Sequence, residues 1–149
     1  MELSKLTMYE ACLLHSRAER VLKGLVSRHL EDWGITRMEW LLLATAASCK
    51  DNEQGSTMGE IAEILDIRLS QLTALSSNMT REGLLNQTVS PKDRRTKYLK
   101  ITSRGLRFLA DIEQDMRHSM RQWLAEIPRE QLAIYMNTVR ELGSDSRLR

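Results

Sequence analysis

Three features of the 149-residue chain predict a mainly α fold of the α+β class. Threonines stand three residues ahead of glutamates where helices would start. Leucine-rich stripes recur at helical spacing towards both ends. Past the middle, two short runs rich in β-branched and aromatic residues flank a proline turn. With 42% hydrophobic and 28% charged residues and a net charge of +2, the chain is expected to be one functional unit, either one domain with its own core or a compact head plus an oligomerising extension, rather than two large domains. The longest apolar run, 40–47, is far too short to cross a bilayer. The opening MELSKLTMYE carries acids where a signal peptide needs a basic start and an apolar segment, so a cytoplasmic protein is expected.

The elements follow in order. Residues 4–30 read as one long helix, with Leu6, Leu13, Leu14, Val21, Leu22, Leu25 and Leu30 at helical intervals. Thr36-Arg37-Met38-Glu39 is a capping box that starts a second helix, which runs through WLLLATAASC and stops in a polar loop over 50–56. A second box, Thr57-Met58-Gly59-Glu60, opens a helix barely two turns long. Ser70 is the expected N-cap of the next helix, which carries Leu72, Leu75 and Met79 on one face and ends at Gly83 as a C′ residue. Helix, loop, short helix, tight turn and helix is the helix-turn-helix order. LLNQTVS and TKYLKIT then read as two strands joined through Pro91-Lys92-Asp93-Arg94, a hairpin with a charged tip placed as the wing of a winged helix. Residues 103–127 form a further helix with Leu109, Ile112, Met116, Met120, Trp123 and Ile127 in register. Pro128 suits the first position of a last helix through Leu132, Tyr135, Met136, Val139 and Leu142.

Charge along this plan is uneven. Between Ile67 and Gly105 eight basic residues face two acids, a local excess of six. Basic residues gathered on an element that would straddle a duplex beside a recognition helix are the footprint of a phosphate-tracking surface. Double-stranded DNA is the expected partner. Arg68, Ser70, Gln71, Thr73, Ala74, Ser77, Asn78 and Arg81 would come from the helix, and Lys92, Asp93, Arg94, Arg95 and Lys97 from the wing. Gln and Asn suit adenine, which offers one acceptor and one donor in the major groove. The terminal stripes have more apolar surface than a small head covers. They are read as a homodimer interface through Leu6, Leu13, Leu14, Ile112, Met116, Trp123, Leu132, Tyr135, Met136 and Val139, with intramolecular core as the alternative.

Catalysis, metal and cofactors are not expected. His15, His29 and His118 are dispersed, Cys12 and Cys49 lack zinc or CxxC spacing, and there is no phosphate-cradling glycine loop, HExxH or GxSxG.

The run from Thr73 through Gly83-Leu84-Leu85 to Asp93-Arg94-Arg95, and on to Leu99 and the T-x-x-G of Thr102 to Gly105, resembles the MarR family of bacterial transcription regulators over essentially the whole chain. The D-x-R of Asp93 and Arg95, ten and twelve residues after Gly83, is one of the two most specific parts. The resemblance implies one MarR-like unit over 1–149, with dimerisation helices at 4–34 and 103–143 and a winged helix-turn-helix at 36–102. It also implies a homodimeric repressor on a pseudo-palindromic operator, released by a small phenolic or aromatic ligand or by an oxidant. A ligand would sit between the dimer helices and the head, with Trp33, Trp40 and the first helix as apolar walls. Asp93 would brace the wing through a salt bridge to Arg95.

The chain departs from the family pattern at Ala74, Asn78 and Gln87, where Arg is common. A winged-helix module that binds protein rather than DNA is therefore an alternative. Cys12 matches the position of the reactive cysteine in the peroxide-sensing branch, which makes a cysteine-based sensor a further alternative. The tyrosines of that branch are replaced by Ser16 and Val26, so Cys12 is read as a small hydrophobe buried in a dimer helix.

Overall fold

The computed structural model describes residues 7–49 and 53–144. Along the chain run α1 (Met8–Glu31), α2 (Arg37–Ser48), β1 (Ser56–Thr57), α3 (Met58–Leu65), α4 (Leu69–Arg81), β2 (Leu85–Val89), β3 (Lys97–Ile101), α5 (Ser103–Trp123) and α6 (Arg129–Ser144). The chain divides into two compact units, residues 1–113 and 114–149, so the boundary falls inside α5.

Capping explains most of the helix starts. Thr36 and Thr57 each take the N–H of the glutamate three residues on. That glutamate returns to the threonine N–H at 2.9 Å in the first box and 2.8 Å in the second. A third box, Thr7 with Glu10, starts α1 and was not anticipated. The expected start at residue 4 and the candidate Leu6 lie outside the described residues. Ser70 is not the cap of α4. The helix starts two residues earlier than a Ser70 cap requires, with Arg68 as N-cap and its backbone N–H donating to the Gln71 side chain at 3.3 Å. The reason lies upstream: Asp66 ends α3 in the left-handed region (φ 52°), and this turns the chain within three residues. Gly83, at φ +74°, closes α4 as expected.

The wing is antiparallel, with Leu85 opposite Ile101 and Val89 opposite Lys97. Part of the expected loop is in fact a strand. β1 pairs with the other edge of β3, Ser56 opposite Leu99, giving the order β1-β3-β2. The core of the first unit gathers Leu30, Leu42, Leu43, Ile61, Leu72, Met79, Leu85, Leu99 and Ile112, all at most 1% exposed. Each such side chain stabilises the fold by about 1.5–3 kcal/mol relative to an exposed one. In the second unit α6 has no buried residue, and Ile134, Tyr135, Met136 and Leu142 are all about half exposed or more.

The T-x-x-G stretch has a physical basis here. The Thr102 hydroxyl lies 2.8 Å from the Gly83 carbonyl and accepts the Gly105 N–H at 2.9 Å, which ties the end of α4 to the start of α5. A Cβ on Gly105 would collide with the Leu84 carbonyl, so the close approach requires glycine.

Candidate nucleic-acid interface

Helix α4 buries Leu72, Ser76 and Met79 and presents Arg68, Ser70, Gln71, Thr73, Ala74, Ser77 and Arg81 to solvent. The Thr73 and Ser77 hydroxyls donate to the carbonyls one turn back, Leu69 and Thr73, both at 2.8 Å. Their oxygens remain acceptors towards solvent. Asn78 is different. It is half-buried, its amide Nδ2 donates to Glu39 Oε1 at 3.1 Å, and its Oδ1 accepts from the Arg81 guanidinium. Each end of the amide thus already has one partner within the chain, which fixes its orientation.

The wing tip is a hydrogen-bonded turn. Asp93 Oδ1 accepts the Arg95 backbone N–H and Oδ2 accepts the Thr96 hydroxyl, both at 2.9 Å, and the Thr96 N–H donates to the Asp93 carbonyl at 3.0 Å. On the other side, the Ser90 hydroxyl receives the N–H groups of Lys92 and Asp93 at 3.3 Å each. Asp93 thus braces the tip as expected, but through backbone and hydroxyl rather than a salt bridge to the Arg95 guanidinium. An aspartate accepting from backbone two residues on is the side-chain mimic of a turn, and it reaches without any long side chain being ordered. Lys92, Arg94, Arg95 and Lys97 are left exposed. Lys100 has another job, donating to the Glu53 carbonyl at 2.9 Å and so fixing the segment that leads into β1.

Wing and helix face one groove. A cavity of about 420 Å³ is lined by Leu69 and Thr73 of α4, by Thr57, Met58 and Gly59 at the start of α3, and by Arg95, Thr96 and Lys97 of the wing. An exposed helix whose face carries hydroxyls and amides therefore stands opposite a braced basic hairpin. This architecture is matched along nearly the full length of a MarR family transcriptional regulator from Rhodococcus sp. RHA1, with a TM-score of 0.83, 20% identity and 95% and 98% of the two chains covered. The chain has the MarR fold. It is also similar to CouR from Rhodococcus jostii RHA1, in a structure bound to p-coumaroyl-CoA (TM-score 0.78, 21% identity, 92% and 94% covered). A curated relative, the HTH-type transcriptional regulator MhqR of Bacillus subtilis (strain 168), is 20% identical over 132 residues, 89% of this chain and 88% of its own. No family model matches the chain.

Within this MarR fold Glu39 is the residue that sequence reasoning assigned only to a cap. Its Oε2 takes both the N–H and the hydroxyl of Thr36, at 2.9 and 2.8 Å, while Oε1 takes Asn78. Burial pushes its carboxyl pKa up, but the Thr36 N–H, the Asn78 amide and the Thr36 hydroxyl outweigh burial and hold it below the ordinary value. The signal for Asn78 was absent from the sequence because its partner lies 39 residues away.

The two indoles named as ligand walls are engaged within the first unit. Trp33 meets Phe108 edge-on at 5.8 Å, and Trp40 Nε1 donates to Glu113 at 3.0 Å. Of the proposed interface residues, Leu14, Trp123, Tyr135 and Met136 are exposed, and Leu13, Leu132 and Val139 are half-buried. Ile112 at 0% and Met116 at 7% exposed are instead buried within the single chain. Periodicity placed both on a stripe without showing what covers it, so Ile112 is core rather than contact surface. Cys12 is exposed, not buried by its own fold. Among the described residues no cluster of three His, Cys, Asp or Glu is placed to hold a metal, and no helix is long and apolar enough to cross a membrane.

Proposed function

We propose that the protein is a sequence-specific transcription regulator that binds double-stranded DNA as a homodimer and represses from a pseudo-palindromic operator in the cytoplasm. The observation that carries this reading is the groove shared by the exposed polar face of α4 and the braced wing. Gln71, Thr73, Ala74 and Ser77 read base edges in the major groove. Arg68, Arg81, Lys92 and Lys97 neutralise phosphate, and Arg94 or Arg95 enters the minor groove. The winged helix-turn-helix spans 36–102, and the exposed stripes within 4–34 and 103–143 meet a second copy, which places two heads on one duplex face. Release by an aromatic effector is part of the proposal, supported by the resemblance and by the p-coumaroyl-CoA in the CouR structure.

The test is selection of a duplex from a random-sequence pool by the purified chain, followed by titration at several salt concentrations. Competitor-resistant binding with a steep salt slope supports the regulator. A folded protein that enriches no sequence and binds no duplex at low salt sinks it, in favour of a protein-binding module.

A further inference from the structure

We infer that Glu39 is a positioning residue for DNA recognition: through Asn78 it fixes the rotation of α4 and holds Arg81 at the edge of the DNA-facing surface. The inference rests on the DNA-binding reading above and adds a residue that does not itself face DNA.

The argument starts from polarity. A carboxylate only accepts, and a guanidinium only donates. Asn78 lies between one of each, its Nδ2 towards Glu39 Oε1 at 3.1 Å and its Oδ1 towards Arg81. Both ends therefore demand the same orientation of the amide. Glu39 is in turn fixed, because its other oxygen is held by two donors from Thr36. The next residue, Trp40, donates to Glu113 on α5 at 3.0 Å, so the first turn of α2 is anchored to two further elements. A half-buried path thus runs from the frame of the head to a cation at the C-terminal end of the recognition helix. The Asn78 to Glu39 bond is a polar tie between α4 and α2 across 39 residues of sequence. Loss of the tie lets α4 rotate and Arg81 swing free, which changes which base edges are met more than it changes the total positive charge.

The experiment uses the full chain and the duplex that wild type selects from a random pool, with a scrambled duplex as control. Affinities for both are measured by fluorescence anisotropy for wild type, Glu39→Gln, Asn78→Asp and the double variant, alongside thermal unfolding. An amide at position 39 has one acceptor oxygen and cannot serve Thr36 and Asn78 together. Glu39→Gln is therefore expected to lower the ratio of selected to scrambled affinity at least fivefold, while scrambled affinity stays within twofold. In the double variant the new amide donates to the new carboxylate, which accepts from Arg81. The donor order is restored, and the ratio is expected to return to within twofold of wild type, a non-additivity that a merely destabilising change does not produce. If Glu39→Gln is unfolded at the assay temperature, Asn78→Ala cuts the same link from the α4 side and is expected to lower the ratio alike. An unchanged ratio in the folded single variants, or a double variant no better than its parents, overturns the inference while leaving DNA binding intact. A wild type that selects no duplex overturns both.

Discussion

Asp93→Ala sets two effects against each other. The substitution removes acceptors for the Arg95 N–H and the Thr96 hydroxyl, both at 2.9 Å. Exposed bonds of this kind contribute about 0.5–1 kcal/mol each, so the braced turn loses about 1–2 kcal/mol. The same change removes a negative charge from the neighbourhood of phosphate. Two unit charges about 7 Å apart in water repel by about 0.6 kcal/mol, and screening at physiological salt leaves about 0.25 kcal/mol. Bracing wins by about 1 kcal/mol, which corresponds to about fivefold weaker binding. Anisotropy titration of the selected duplex at physiological salt measures it, with Asp93→Asn, which keeps an acceptor oxygen, expected between wild type and alanine. Equal or tighter binding by Asp93→Ala would refute the reasoning and reduce the wing to a basic patch.

Lys97→Ala should weaken binding about equally on all sequences and lower the salt slope by about one unit. Arg95→Ala should cost more and also lose preference for narrow-grooved A·T-rich flanks, with the turn intact because the brace uses the Arg95 backbone and not its side chain. Met136→Glu, on a residue 54% exposed in one chain, should yield a folded monomer by sedimentation. Ile112→Glu, at 0% exposed, should unfold the protein, since an unpaired buried charge costs several kcal/mol; a folded Ile112→Glu dimer would contradict its place in the core. Gly105→Ala should lower the melting temperature, because the added methyl meets the Leu84 carbonyl. The depressed Glu39 pKa stabilises the fold above the unfolded-state carboxylate pKa, and that contribution fades as pH falls through the folded value. The stability gap between wild type and Glu39→Gln in urea should therefore narrow between pH 7 and pH 3, and a gap that widens would reverse the sign.

What the sequence made legible was local. Thr36 with Glu39 and Thr57 with Glu60 are pairs three apart, and such pairs declare themselves. The β-branched runs on either side of Pro91 did the same for the wing. The Thr7 box has the same signature but sits inside a leucine pattern that read as an unbroken helix from residue 4. Strand β1 is two residues long, too short for any periodicity, and exists because β3 offers it an edge. The role of Asp93 was visible but its partner was mistaken, since family analogy suggested a guanidinium where local turn chemistry supplies a backbone N–H. Asn78 and Ile112 show the deeper limit. A polar residue on a helix face and an apolar one on a stripe look alike whether they face a partner or their own fold, and only tertiary structure distinguishes the two.

The knot of Thr102, Gly83 and Gly105 bears on how such a chain diverges. The Thr102 hydroxyl reaches the Gly83 carbonyl, and the adjacent Leu84 carbonyl can come near only because position 105 lacks a side chain. Exchange of either residue costs a contact that the other does not restore, so neither position can drift without loss. The solvent-facing positions of α4 carry no such lock. Ala74 is exposed on α4, so that face of the helix can change while the joint between wing and α5 stays still.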